Sequence, residues 1–224
     1  SNEHPEALER MMPDGALEKA VRDAARMLRA ARRMIVTSAA GTSLDIDIAG
    51  ASTVGVWGWT DRPGTLAHWP GGIVVSFPKA GTVNGTLVLD RGDINLTFKR
   101  YLEAPVRLTL ERDYVTRVEG EGVDADIMRR YLAAWGDPEA YAVSHVGFGL
   151  NRKARYEALA MYDRAETNGT ELRAVAGNFL FSTGANEFAG RHTAGHFDIP
   201  LMRTTITVDG VEVVRGGELQ APFA

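Results

Sequence analysis

The segment "GRHTAGHFDIPL" (residues 190–201) places His192, His196 and Asp198 close together. In an extended chain, residues i and i+2 share a face. His196 and Asp198 could therefore turn an imidazole and a carboxylate toward one ion while Phe197 enters a core. The same H-x-D could equally be a His–Asp hydrogen bond on a strand, and the segment alone leaves both readings open. A helical H-x-x-x-H pairing of His192 with His196 is disfavoured by Gly195, so His192 reads as a loop residue.

Four other positions carry chemistry. His145 stands in "AYAVSHVGFGLN", where a β-like run enters two glycines. The segment lacks the third glycine of a nucleotide fingerprint, which points instead to close backbone approach. On its own, this histidine reads as a satisfied core or surface residue more readily than as a ligand. His68, in "AHWPGG", could stack on Trp69 or act as a base or donor above a planar ligand. Arg173 and Ser182 flank or enter "AVAGNFLFSTGAN", a buried-looking strand leading to a polar turn. Alone they read as a surface ion pair and a turn hydroxyl.

The elements that must position these groups follow from periodicity. Residues 14–33 carry Leu17, Val21, Ala24, Ala25 and Leu28 at helical spacing behind a capping Asp14. "MIVTSAAGTSLDIDIAG" reads as a strand running into an alternating stretch. A Trp-rich loop, including Trp57 and Trp69, covers residues 57–72. A helix is expected over 124–136, with Ile127, Tyr131 and Leu132 on one face, and a second from Lys153 into Met161. Short alternating β-runs fill most of the remainder without regular βαβ alternation. The fold class expected is α+β: a mixed or antiparallel β-rich domain with inserted helices.

Composition narrows the chemistry. The chain of 224 residues has no cysteine, so any metal must be held by nitrogen and oxygen ligands. A net charge of −4 argues against binding nucleic acid by phosphate neutralisation. No apolar run reaches membrane-spanning length and no signal peptide is visible, so a cytoplasmic protein is expected.

In this order and spacing, "AHWPGG", "GTLVLDRGDI", "YLAAWGDPEAYAVSHVGFGLN", "GNFLFSTGAN" and "GHFDIPL" resemble the 2,5-dihydroxypyridine 5,6-dioxygenase family. That family is related to the two-metal aminopeptidases of the aminopeptidase T type. The resemblance implies a catalytic domain like the C-terminal domain of those proteins. It also implies that residues 1–34 are the helical tail of an upstream α/β domain, with 35–224 forming the metal-binding domain. The peptidases carry a glutamate where this chain has His145, another in the region of "PGGIVV", and a histidine near Asn178. Most ligands for a second metal are thus missing.

What remains, His145, His196 and Asp198, is the two-histidine, one-carboxylate set of non-haem Fe(II) oxygenases. The resemblance implies Fe(II), O2 and a small aromatic substrate, ring cleavage to an N-formylmaleamate-like product, and a homo-oligomer. By the same carry-over, His68 would be an acid/base and Ser182 would hydrogen-bond the substrate or the oxygen. Arg173 would orient an anionic oxygen, and Trp57 and Trp69 would line the pocket. Val56 stands where an acidic residue is expected, which bears on substrate choice. A metal-dependent aminopeptidase is the competing reading.

Overall fold

The computed structural model describes residues 3–224. Helix α1 (Pro5–Arg10) leads to α2 (Gly15–Ala30), whose first turn is capped by Asp14 as expected. The Asp14 carboxylate accepts from the amides of Ala16 (2.7 Å) and Leu17 (3.3 Å). Val21, Ala24, Ala25 and Leu28 are buried, and their face packs on β3 (Ser52–Val56) and β4 (Ile73–Phe77). Gly55 makes the close approach possible, since a Cβ there would lie 2.8 Å from Val21 Cγ1.

The strand expected after α2 and the alternating stretch it runs into form a hairpin of β1 (Arg33–Ser38) and β2 (Ser43–Asp47). Gly41, at φ +107°, sits in its turn. The chain continues through β5 (Val83–Leu89), β6 (Ile94–Asn95), β7 (Arg100–Tyr101), β8 (Val106–Glu111) and β9 (Tyr114–Glu119). Helix α3 (Gly122–Ala134) precedes β10 (Val143–Gly149), and the short helices α4 (Ala158–Met161) and α5 (Thr170–Ala174) follow. Strands β11 (Phe179–Asn186), β12 (Arg191–Leu201), β13 (Thr204–Val208), β14 (Val211–Arg215) and β15 (Glu218–Leu219) complete the chain.

Two sheets face each other. One has the order β15-β14-β13-β1-β2-β5-β8-β9 and the other β12-β11-β10-β4-β3. Every ladder between neighbouring strands is antiparallel. The α+β, β-rich class expected from the sequence is the one observed. Phe148, Phe179, Phe181, Phe197, Ile199 and Leu201 point from the five-stranded sheet into one core shared with the eight-stranded sheet and α2. Alternation then sends Leu180, Ser182, His196 and Asp198 to the opposite, outer face.

Two helices differ from expectation. Helix α3 begins two residues earlier than expected and buries Ala125, Met128 and Leu132. Ile127 and Tyr131 are only half-buried; Tyr131 lies at the rim, against Phe98, Trp135 and Phe197. The helix expected from Lys153 shrinks to Ala158–Met161 because its first amides are used elsewhere. Lys153 N donates to Asn151 Oδ1 (2.9 Å) and Arg155 N to the buried Glu171 carboxylate (2.7 Å). Among the described residues, no helix is long and apolar enough to cross a membrane.

Candidate metal centre

The outer face of the five-stranded sheet gathers three donors from two strands about fifty residues apart. On β12, His196 Nε2 lies 3.1 Å from Asp198 Oδ2, so the i, i+2 geometry places both side chains on one face. On β10, His145 Nε2 lies 3.5 Å from Asp198 Oδ1, and the two imidazole centroids are 5.8 Å apart. Strand β11 runs between them, with Ser182 directly opposite Asp198 in the ladder and Gly184 opposite His196.

His145 reaches the cluster through a β-bulge. Val143 pairs with Thr183 and Val146 with Phe181, so Ser144 and His145 together oppose the single residue Ser182. Bulges of this kind re-aim a side chain. The neighbouring glycines hold the backbone close, as their spacing suggested. A Cβ on Gly147 would fall 1.9 Å from Val74 O, and one on Gly149 would fall 2.2 Å from Val175 O.

Arg173 is part of this cluster. Its Nη2 lies 2.5 Å from Asp198 Oδ2, so its first partner is a buried carboxylate and not a surface ion. Asn178 fixes the segment that carries it, donating to the carbonyls of Leu172 (2.9 Å) and Arg173 (3.0 Å) while accepting from Gly149 N (2.7 Å). Tyr131 donates to His196 O (3.0 Å) and anchors β12 from the side of α3.

The electrostatics suit metal-ligand states. Burial pushes the His145 imidazole down to about 4, against the pull of Asp198, so the ring is neutral at pH 7. Burial alone would raise the Asp198 carboxyl. The hydrogen bond from His196 and the charge of Arg173 outweigh it and hold the group well below the usual carboxylate range. A neutral imidazole and an ionised carboxylate are the forms that coordinate metals.

Among the described residues, no set of three or more His, Asp or Glu side chains stands as a ready-built coordination cage. The three donors are turned toward one another, and Asp198 also toward Arg173. Their types are nevertheless those that hold an ion through nitrogen and oxygen. Adjacent ligands of an octahedral centre with bonds of about 2.1 Å are about 3 Å apart, and the two separations here are 3.1 and 3.5 Å.

The remaining expected residues are placed as follows. Ser182 is fully buried in the middle of β11, so it is a strand residue and not a turn hydroxyl. Its Oγ makes only a long contact, 3.4 Å, to Thr183 O. His192 is an exposed residue of β12, not of a loop, because that strand starts at Arg191. His68 is exposed on the 57–72 loop, and Trp69 is half-buried against Gly58. The Trp57 ring lies under the Arg22 guanidinium (4.1 Å) on the α2 side of the sheet and packs on the main core, away from the donors. Val56 faces the other way, packing with Ile73, Val75, Ala174 and Leu180 on the outer face.

Several site residues escape a reading of residue types alone. Phe77 packs at 5.5 Å from the His145 ring and Phe188 at 5.3 Å from Phe77, forming an apolar wall beside the donors. The turn carrying Phe188 is tied down by the buried Asn186, which donates to Pro78 O (2.8 Å). One signal for the bulge was present in the sequence. In "VSHVGF" the core residues Val143, Val146 and Phe148 are spaced three and then two apart, one residue too many for an unbroken strand.

Comparison with known proteins agrees with this architecture. The family model for NicX, 2,5-dihydroxypyridine 5,6-dioxygenase, matches residues 1–221. The 2,5-dihydroxypyridine 5,6-dioxygenase of Pseudomonas putida KT2440 is 39% identical over 222 residues, covering 98% of this chain and 63% of that protein. A solved structure of the dihydroxypyridine dioxygenase from the same organism superimposes with a TM-score of 0.94 at 39% identity. It covers 98% of this chain and 64% of the other. Wild-type AmpT from Thermus thermophilus shares the fold alone, with a TM-score of 0.64 at 19% identity over 96% of this chain and 57% of its own. The chain thus spans a little under two thirds of the length of these dioxygenase relatives. With the family model and the relative each spanning nearly all of it, the chain belongs to the 2,5-dihydroxypyridine 5,6-dioxygenase family.

Proposed function

We propose that this chain is the metal-binding part of a mononuclear Fe(II)-dependent dioxygenase. The enzyme opens the ring of 2,5-dihydroxypyridine or a related hydroxylated N-heteroaromatic, incorporates both atoms of O2 and gives an N-formylmaleamate-like product. The observation that carries this reading is the meeting of His145, His196 and Asp198 on one sheet face, in a chain 39% identical to a named dioxygenase.

His145, His196 and Asp198 would hold the ion. When bound, Fe(II) supplies a redox centre with positions open to a deprotonated ring hydroxyl and to O2. The other steps fall to the chain's own side chains. Arg173 holds the Asp198 carboxylate ionised and turned to the cluster. It also places a positive charge where an anionic ring oxygen would approach. Ser182, opposite Asp198, offers a hydroxyl on the same face for the substrate or oxygen. Phe77 and Phe188 offer an apolar surface for a heteroaromatic ring. His68, with Trp69 beside it, is assigned the acid/base role from the 57–72 loop. Trp57, packed under Arg22, supports the sheet from behind. The reaction partners are the small aromatic substrate and O2, in a homo-oligomer.

The aminopeptidase reading is weaker on physical grounds. Two-metal hydrolysis needs bridging carboxylates, yet Asp198 is the one carboxylate in the cluster and the guanidinium of Arg173 lies 2.5 Å from it. That fixed positive charge opposes a second dication.

The test is anaerobic Fe(II) reconstitution of the enzyme followed by an oxygen-electrode screen of hydroxypyridines and catechols. Oxygen uptake with a dihydroxypyridine, lost in His145→Ala and Asp198→Ala, is expected. Full activity in those variants, or zinc-dependent leucyl-anilide hydrolysis as the sole activity, would overturn the assignment.

A further inference from the structure

The bulge that turns His145 toward Asp198 also brings in a residue that no catalytic role has so far required. Ser144 is buried, and its Oγ lies 2.6 Å from Ala185 O. A carbonyl only accepts, so the single hydroxyl proton is committed to that bond. The same Oγ lies 3.3 Å from His145 Nδ1. With its proton committed, the oxygen can serve the ring only as an acceptor, and its partner must be Nδ1–H. A neutral imidazole carries one ring proton, so Nε2 is left with its lone pair. That atom faces Asp198 Oδ1 at 3.5 Å, a longer separation than the 3.3 Å between Nδ1 and the serine oxygen. The Nε2–H tautomer would instead set the Nδ1 lone pair against the lone pairs of the serine oxygen, whose proton is on Ala185 O. Phe77, packed on the ring at 5.5 Å, limits its rotation. Ala185 follows Gly184, which pairs with His196, so the serine also ties β10 to β11, the strand that lies between His145 and the donor pair on β12.

We propose that Ser144 is a positioning residue. Its hydroxyl, fixed by Ala185 O, holds His145 as the Nδ1–H tautomer and presents the Nε2 lone pair to the metal position. The consequence for metal binding rests on the reading of His145 as a ligand, whereas the tautomer itself does not. Histidines that bind metals are commonly oriented in this way by the partner of their other ring nitrogen.

The test combines two readouts that do not involve turnover. Long-range proton–nitrogen correlation spectra of the chelator-treated, histidine-labelled chain at neutral pH report the tautomer directly. Wild type should show a protonated Nδ1 and an unprotonated Nε2 for His145. Ser144→Ala should move the ring toward Nε2–H and weaken Fe(II) binding, measured anaerobically by calorimetry, by about 10–100-fold. Ser144→Thr, which keeps the hydroxyl, should preserve both. Ser76→Ala is the structural control. It removes a buried hydroxyl paired with Thr53 (2.7 Å) on the same sheet, and should lower stability without moving the tautomer. An Nε2–H ring in wild type overturns the proposal, as does a Ser144→Ala chain with unchanged tautomer and affinity. Wild-type Fe(II) affinity in His145→Ala would remove the ligand reading, while the Nδ1–H spectrum would still establish the hold of Ser144 on the ring.

Discussion

Replacing Arg173 by methionine removes the positive charge from Asp198 while keeping most of the side-chain volume. The guanidinium lies 2.5 Å from a carboxylate that is 6% exposed. Two unit charges at contact range attract by about 4 kcal/mol at an effective dielectric near 20. Three features reduce that figure. The Arg173 side chain is 30% exposed, so water screens the pair. His196 remains as a partner at 3.1 Å. The buried Arg173 Nε has no hydrogen-bond partner, so methionine also removes an unsatisfied donor whose burial costs about 1–3 kcal/mol. The net loss should be about 2 kcal/mol in the chelator-treated chain, or a fall of about 4–8 °C in the thermal midpoint for a chain of this size. A bound dication supplies the missing charge, so saturating anaerobic Fe(II) should restore most of the loss. The metal-induced rise in midpoint must then be larger in Arg173→Met than in wild type. An unchanged midpoint in chelator, or a metal-induced rise no larger than that of wild type, would refute the reasoning.

Three further outcomes are expected. Gly147→Ala would drive a methyl into Val74 O at 1.9 Å and should cost more than about 3 kcal/mol, seen as insoluble or unfolded protein. Gly15→Ala, with open space around it at the start of α2, should instead stabilise the chain by up to about 1 kcal/mol in denaturant titration. Asp93 is buried, and burial pushes its carboxyl up from 3.8 to about 6. Between those two values the unfolded chain has released the proton and the folded chain keeps it. Stability should therefore fall as pH rises from about 4 to about 6, by roughly 3 kcal/mol. Asp93→Asn should flatten that slope in urea titrations across the window, and an unchanged slope would assign it to another group.

Local signals carried much of this fold. Asp14 and the spacing from Leu17 to Leu28 marked α2 because cap and amphipathic face are both properties of nearby residues. The shared face of His196 and Asp198 followed from strand periodicity alone. Relations set by tertiary packing were not legible in the same way. The Glu171 carboxylate takes the Arg155 amide and shortens α4, although it lies sixteen residues away in sequence. Trp57 belongs by composition to an aromatic loop, yet Arg22 and the α2 side of the sheet claim its ring. Arg173 reads as a surface cation until α5 and Asn178 turn it toward Asp198. The bulge at Ser144 and His145 lies between these cases. It was written in the broken spacing of Val143, Val146 and Phe148, but its purpose emerges only when β11 and β12 stand beside it.

Anaerobic Fe(II) binding by the purified chain, measured as stoichiometry and affinity in wild type and in single alanine variants of His145, His196 and Asp198, tests the central claim most directly. The account predicts one Fe(II) per wild-type chain, and a loss of that binding in each variant while the Asp14-capped helix and both sheets remain folded by circular dichroism. Unchanged stoichiometry and affinity in any one of the three variants would contradict it.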